Sequence, residues 1–409
     1  MMIYDQLKKE NGDIIIFGAG VMGRYILSLC YQNQIEVSAF CDNERKKSYI
    51  GNLAVLTVSE VVDKYGTEAI FIITPLEIEE IVTQLKDNNC LHYYSMCEFF
   101  DPRFFLSLFS INERQKKESI KNISWVERNW YHHYFYLHPE AIRLESLDFV
   151  ITERCSLRCR DCCNLMQYYV TPHDFNLDDL QKQLMRVMEI YARVDDLRLI
   201  GGEPFMHRQV ADIIKYAHGF KQIKRITIYT NATICPPEEM LALWSDYGNI
   251  TFSVSDYGDT SVAFDKLIYL LKKYKFSYVV TSDRWTSCSS FQKHNRSLVE
   301  QKRIFANCCV NKTVTLLKGK IYPCPFIAHG ISLQALPNID GSHVDIMKSN
   351  DLVVIRDALR TLHQKTYHSL CDFCNGRPNF PIEEEFIEPH IQTKEPLPYK
   401  KYEGCLNNE

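Results

Sequence analysis

Apolar positions along the chain alternate between short continuous runs and helix-spaced stripes, and this alternation outlines its organisation. Asp13-Ile-Ile-Ile-Phe17 is a continuous apolar run, the pattern of a strand buried on both faces in a parallel sheet. It leads into Gly18-Ala-Gly20-Val-Met-Gly23 and a helical stretch to about Gln32. Glu36–Cys41, Glu68–Thr74 and Leu91–Ser95 read as further strands, with a helix over Pro75–Asn88. Residues 101–146 are mixed: apolar Phe104–Phe109, polar Asn112–Glu118, then an aromatic group from Trp125 to Tyr136 that reads as a helix packed between two domains. Its neighbours His132 and His133 cannot face one ligand together on a helix.

From 147 onward the alternation resumes. Strands are expected at Leu147–Ile151, Leu197–Ile200, Arg225–Tyr229, Ile250–Val254 and Ser277–Thr281, with helices near 176–193, 207–220, 237–246 and 262–274 and a sixth strand after them. Such alternation predicts a parallel sheet with helices outside. Thr313–Leu317, Lys318-Gly-Lys320 and Ile321-Tyr322 read as a glycine-turned hairpin.

At 409 residues the chain is too long for one ordinary core and predicts two or three domains. With 46% hydrophobic and 24% charged residues its profile is globular rather than disordered. A net charge of −4 and the lack of a long basic block argue against nucleic acid as a partner. No apolar run is long enough to span a bilayer, and residues 1–10 lack a signal-peptide core. Sixteen cysteines in such a chain point to metal ligation and buried thiols in a reducing compartment, so a cytoplasmic location is expected.

Two stretches carry candidate chemistry. The first is strand, Gly18-x-Gly20-x-x-Gly23, helix, strand and then Asp42, the arrangement of a Rossmann-like dinucleotide fold. Its glycines allow a tight turn and close backbone approach, the helix N-terminus attracts phosphate, and Asp42 is placed to accept ribose hydroxyls. The stretch resembles small Rossmann-like modules fused to enzymes of nucleotide-sugar and surface-glycan synthesis. NAD and a nucleotide-sugar both remain open as ligands, as does a docking module that binds neither.

The second stretch is Cys155-Ser-Leu-Arg-Cys159-Arg-Asp-Cys162, three thiols on one short loop after an apolar run. A structural zinc site wants four closed ligands, whereas three thiolates around a four-iron cluster leave one iron open to a small chelator. Cys163 follows directly, cannot share the centre, and reads as a packing residue. About forty residues on, Gly201-Gly202-Glu203-Pro204 follows the next strand. Together, in this order, these motifs resemble the radical S-adenosylmethionine (radical SAM) superfamily, over roughly residues 147–375.

The resemblance implies that Cys155, Cys159 and Cys162 hold a [4Fe–4S] cluster whose open iron binds S-adenosylmethionine. Gly201, Gly202, Glu203 and Pro204 would bond the cofactor's amino group, and Thr230, Asn231, Ser255 and Asp256, at the ends of the next two strands, would contact the rest of it. Asp161 departs from the aromatic or apolar residue that many members place there. A second set, Cys309 (or its neighbour Cys308), Cys324, Cys371 and Cys374, resembles the twitch domain, a shorter relative of the SPASM domain, and implies an auxiliary [4Fe–4S] cluster. Spacing alone leaves zinc open for this set. Cys30, Cys41, Cys90, Cys97, Cys235 and Cys288 show no ligand spacing, and Cys405 is the sole later cysteine.

The expected fold is therefore α/β: a Rossmann-like half domain over 1–100, a helical connector over 101–146, a partial (β/α)6 barrel over 147–300 and a twitch-like α+β extension over 301–409. The expected activity is reductive cleavage of S-adenosylmethionine to a 5′-deoxyadenosyl radical that takes a hydrogen atom from a sugar-like or nucleotide-linked small molecule, in an oxidation or epimerisation. A flavodoxin- or ferredoxin-type donor would supply the electron. Modification of a ribosomally made peptide is the alternative, and a non-enzymatic metal-bearing nucleotide sensor is the reading from another class.

Overall fold

The computed structural model describes residues 3–44, 48–100, 113–282, 285–287, 291–378 and 386–403, with side chains described outside 113–124 and 282. Two compact units divide the chain, Met1–Glu140 and Ala141–Glu409. Cys288, Cys405 and the apolar stretch 104–109 lie outside the described residues.

The first unit is built on β1 (Ile14–Phe17), β2 (Ala39–Cys41), β3 (Tyr49–Ile50), β4 (Leu53–Leu56), β5 (Ile70–Ile73) and β6 (Tyr93–Ser95), in the order β3-β4-β2-β1-β5-β6. All pairs are parallel except β3 with β4. The four apolar residues of β1 explain its central place. Ile14 and Ile16 join one core with Ile26 and Cys30 of helix Val21–Gln32, while Ile15 and Phe17 join another with Val61, Ile81 and Leu85 of the opposite helices. Full burial of one such side chain contributes about 1.5–3 kcal/mol. The edge hairpin β3–β4 is an addition to the strands expected from the pattern.

The long helix Glu113–Leu137 differs from expectation, because it is built into this unit rather than forming a separate connector. Trp130 Nε1 donates to Phe100 O at 2.6 Å, and the buried His133 ring bridges Ser95 Oγ (2.7 Å) and Pro75 O (2.6 Å). Trp130 and Tyr136 therefore pack on the cores of their own unit. His132 turns away, with Nε2 3.2 Å from Glu79.

The second unit carries β7 (Ile142–Thr152), β8 (Tyr191–Gly201), β9 (Ile226–Thr230), β10 (Ile250–Asp256) and β11 (Ser277–Ser282), then β12 (Trp285–Thr286), β13 (Thr313–Leu317), β14 (Lys320–Tyr322), β15 (Val344–Asp345) and β16 (Phe386–Ile387). The main sheet runs β11-β10-β9-β8-β7-β13-β14-β15, and β12 pairs with β16 apart from it. Helices 177–190, 210–218, 238–245 and 264–273 cover one face, packing on Leu147, Phe149, Leu197, Leu199, Ile228 and Phe252.

Two expectations change here. Among the described residues no sixth parallel strand follows β11 at its edge: β13 instead pairs parallel with β7, in register Thr315↔Asp148. Every residue of β13 is buried, which suits an interior place rather than an edge. The hairpin assigned to a separate C-terminal domain is thereby continuous with the main sheet. Strands β7 and β8 also begin five and six residues earlier than their apolar runs, at Ile142 and Tyr191, and the first residues of β7 alternate between buried and exposed. Among the described residues no helix is long and apolar enough to cross a membrane.

Candidate active site

The face of the sheet away from these helices carries an apolar cluster of its own. Near the strands' carboxyl ends Val150, Ile200, Leu317, Tyr168, Phe326 and Leu370 form one apolar cluster, and Cys155, Cys162, Cys324 and Cys374 all pack against it. Both cysteine sets therefore share one core. Ligand sites in α/β sheets lie at this end of the strands.

The first set sits on the loop leaving β7. Cys159 is buried, and Cys155 and Cys162 are half-buried. Burial pushes the Cys155 thiol up to about 12 and raises Cys159 and Cys162 as well. Two side-chain amides point at these sulfurs: Asn231 Nδ2 lies 3.6 Å from Cys155 Sγ, and Gln392 Nε2 lies 3.2 Å from Cys159 Sγ. Cys163 is turned to Asn164 Oδ1 at 3.6 Å.

The loop leaving β8 is laced to this one. Gly202 N donates to Thr152 O (3.1 Å) and Glu203 N to Arg154 O (2.8 Å). The glycines exist for this contact, since a Cβ on Gly201 would sit 2.1 Å from Thr152 O, and one on Gly202 would sit 2.1 Å from Arg154 O and 2.7 Å from Cys155 Cβ. The Glu203 side chain goes elsewhere than expected. It is fully buried, with Oε1 accepting from Phe205 N (3.2 Å) and Oε2 from Asn231 N (2.8 Å). Burial lifts its carboxyl to about 7 against the pull of those donors. It pins the end of β9 beside the cysteine loop. Pro204, buried, opens the short helix that follows.

The other expected contacts divide. Asn231 reaches Cys155 and also Ser156 Oγ (3.2 Å), while the buried Thr230 Oγ1 accepts from Ala232 N (3.1 Å). Asp256 is spent on its own turn, accepting from Gly258 N at 3.0 Å, and Ser255 O accepts from Ser261 Oγ at 3.2 Å. Asp161 pairs with Arg160 at 2.8 Å. The residue after Asp256 lies near the cysteine loop: Tyr257 is raised by burial, lies within electrostatic reach of Cys159, Cys162 and Cys163, and stacks on His390. Neither Tyr257 nor Gln392 carries a sequence motif that would have marked it.

Deeper on the same face runs a polar row. Thr315, Asp148, Arg198, Thr227 and Thr251 are neighbours across five strands. Arg198 Nε lies 3.1 Å from Asp148, its Nη1 donates to Thr313 Oγ1 at 3.2 Å, and its guanidinium covers the Tyr229 ring at 4.4 Å. Burial raises Asp148 to about 6 although Arg198 opposes the shift.

In the second set, Cys324, Cys371 and Cys374 line a cavity with Cys308, Pro323, Phe326 and Arg377, and Cys309 does not. Cys309 is exposed, and its hydrogen bond with Cys308, helped by Arg377, lowers it to about 6. Of the two adjacent cysteines, Cys308 is therefore the one that faces this cavity. The Cys308 backbone is held by its bridge to Pro378. Among the described residues no three His, Cys, Asp or Glu side chains gather as around one metal ion. A four-iron centre spreads its thiolates over separate irons.

In the first unit a Cβ on Gly18 or Gly23 would clash with Thr74 or with Gly18 O, whereas Gly20 faces open space. Asp42 is tied to this loop, Oδ2 accepting from Ala19 N (2.7 Å) and Oδ1 from Glu44 N (2.8 Å).

Residues 149–273 match the Radical SAM superfamily. GTP 3′,8-cyclase of Clostridium acetobutylicum is 29% identical over 94 residues, 23% of this chain and 29% of that protein. Molybdenum cofactor biosynthesis protein 1 of Mus musculus is 32% identical over 81 residues, 20% of this chain and 13% of that protein. The chain thus spans less than a third of either curated relative. Among solved structures, BtrN in complex with AdoMet and 2-DOIA aligns at TM-score 0.36 and 17% identity, over 58% of this chain and 94% of that one. Streptococcus suis SuiB bound to precursor peptide SuiA aligns at 0.34 and 12%, over 73% and 85%.

Proposed function

We propose that this chain, whose residues 149–273 are a radical SAM superfamily domain, is an enzyme that cleaves S-adenosylmethionine reductively and takes a hydrogen atom from a sugar-like or nucleotide-linked small molecule. The observation that carries the reading is the lacing of the Gly201-Gly202 loop onto the loop of Cys155, Cys159 and Cys162, at a distance that admits no side chain.

The donor set fits the cluster this domain implies. Cys155 and Cys162 pack against a shared apolar core, Cys159 of the same loop is buried, and side-chain N–H groups point at Cys155 and Cys159. A buried thiol without a cationic partner holds its proton, and iron supplies that partner. When bound, a [4Fe–4S] cluster with S-adenosylmethionine supplies the electron and the 5′-deoxyadenosyl radical. The chain's own residues do the rest. The Gly202 backbone, left half-exposed once Glu203 turns inward, is the acceptor offered to the cofactor's amino group. The apolar cluster of Val150, Ile200 and Leu317 keeps water from the reacting carbon. Arg198, fixed by Asp148 and Tyr229, presents positive charge in a polar row, which favours a substrate rich in hydroxyl or phosphate groups over an apolar peptide segment. Cys308, Cys324, Cys371 and Cys374 would hold an auxiliary cluster. In the first unit, the open space over Gly20 supports a bound nucleotide, NAD or a nucleotide-sugar, with Asp42 bracing the glycine loop.

The test is anaerobic turnover with dithionite in a panel of UDP-sugars, NADH and short peptides, following 5′-deoxyadenosine and substrate consumption. Stimulation by a sugar or nucleotide is expected. Stimulation by peptides alone would reject the substrate class while leaving the radical chemistry intact.

A further inference from the structure

Residues 391–397 carry no motif, yet they lie along the first cysteine loop. Arg160 N donates to Ile391 O at 2.7 Å and Thr393 N to Arg158 O at 2.9 Å, so Cys159 and Gln392 face each other as an antiparallel bridge pair. Arg158 Nη1 to Lys394 O (2.9 Å), Thr393 Oγ1 to Arg158 O (3.3 Å) and Leu397 N to Gln167 O (2.8 Å) fix the register. Upstream, His390 stacks on Tyr257 with centroids 5.0 Å apart. The segment is a strap across the loop, held at several points.

Within that frame the Gln392 carboxamide has one possible orientation. Its Oε1 accepts the Arg158 N–H at 2.7 Å. A backbone N–H only donates, so the amide oxygen must face it and the nitrogen must face the other way. That nitrogen has two hydrogens. One goes to His390 O, and the other side faces Cys159 Sγ at 3.2 Å.

We infer that Gln392 is a positioning residue of the iron–sulfur centre, whose N–H···S bond to Cys159 raises the reduction potential of the cluster held by Cys155, Cys159 and Cys162. The inference rests on the reading proposed above. One-electron reduction adds negative charge that the sulfur ligands share, so an N–H dipole aimed at one sulfur stabilises the reduced form more than the oxidised form. Asn231 makes a similar but longer approach to Cys155, at 3.6 Å, which leaves Gln392 as the shorter of the two side-chain contacts.

The test is an EPR-monitored potentiometric titration of the reconstituted full-length protein. It follows the signal that changes on adding S-adenosylmethionine, which separates this cluster from an auxiliary one. Gln392→Leu and Gln392→Glu are compared with wild type and with Thr393→Val, which loses a strap contact but no sulfur contact. At the wild-type midpoint, both Gln392 variants should lower the reduced-to-oxidised ratio about tenfold, which is about 59 mV for one electron. Gln392→Glu should fall at least as far, since it keeps an acceptor for Arg158 N–H and sets a negative charge beside the sulfur. Thr393→Val should titrate like wild type.

Unchanged midpoints in both Gln392 variants would overturn the inference. So would an equal fall in Thr393→Val, or loss of iron from both Gln392 variants, because each would make the strap purely structural. Absence of any S-adenosylmethionine-responsive signal in wild type would instead remove the function proposed above, and this inference with it.

Discussion

Replacing Gly202 by alanine perturbs the contact on which the site depends. A Cβ there would lie 2.1 Å from Arg154 O, 2.4 Å from Arg154 C and 2.7 Å from Cys155 Cβ. Non-bonded carbons settle at about 3.5–4.0 Å, so the two loops must separate by roughly 1 Å. Both obstructing groups are backbone or Cβ, and neither can rotate away. The bonds Gly202 N to Thr152 O (3.1 Å) and Glu203 N to Arg154 O (2.8 Å) would then stretch past hydrogen-bond range. Losing two such bonds costs about 1 kcal/mol each, and overpacking adds about 1–3 kcal/mol, for a total of roughly 3–5 kcal/mol. Since Cys155 moves with Arg154, a misplacement of about 1 Å at the reacting centre should cost on the order of a hundredfold in rate. The assay is anaerobic 5′-deoxyadenosine formation under dithionite, alongside iron content and denaturant unfolding of the same preparation. A Gly202→Ala protein with wild-type stability and a rate within threefold of wild type would refute the reasoning.

Three other outcomes are expected. Cys308→Ala should lose about half of roughly eight irons per chain, the content of two four-iron clusters, whereas Cys309→Ala should keep them all, as iron and sulfide analysis would reveal. Gly20→Ala meets nothing within 4 Å, so its unfolding should match wild type while any thermal shift caused by NADH or a UDP-sugar disappears; a retained shift would place the ligand elsewhere. His133, lowered to about 4 by burial, stays neutral in the folded chain where the unfolded chain, near 6.5, takes up a proton. Its contribution is therefore complete above pH 6.5 and is lost as pH falls toward 4, about 2 kcal/mol of it by pH 5. Urea unfolding of wild type and His133→Asn at pH 7 and pH 5 checks this, the variant showing the smaller loss.

Much of the second unit's chemistry was legible because it is local. Three thiols on one loop and a Gly-Gly pair after the next strand are short-range patterns, and continuous apolar runs such as Ile14–Phe17 mark strands with helices on both sides. What the local pattern does not carry depends on distant pairing. Nothing in Thr313–Leu317 says that it pairs with β7. The β3–β4 hairpin consists of very short edge strands without a sustained pattern. The inward turn of Glu203 follows from donors at Phe205 and Asn231, the latter on the next strand's end. Gln392 meets Cys159 across more than half the second unit's sequence, and polar residues in an irregular segment carry no periodicity to read. That Cys308 and not Cys309 lines the cavity depends on side-chain direction, which two adjacent identical residues conceal.

The central claim is that Cys155, Cys159 and Cys162 together bind a redox centre that opens S-adenosylmethionine. Its most direct measurement is dithionite-driven 5′-deoxyadenosine formation by wild type and Cys155→Ala, both reconstituted with iron and sulfide under argon. The account predicts product from wild type and none above background from the variant. Equal product from the two proteins, or none from a wild type that carries its full iron, would contradict it.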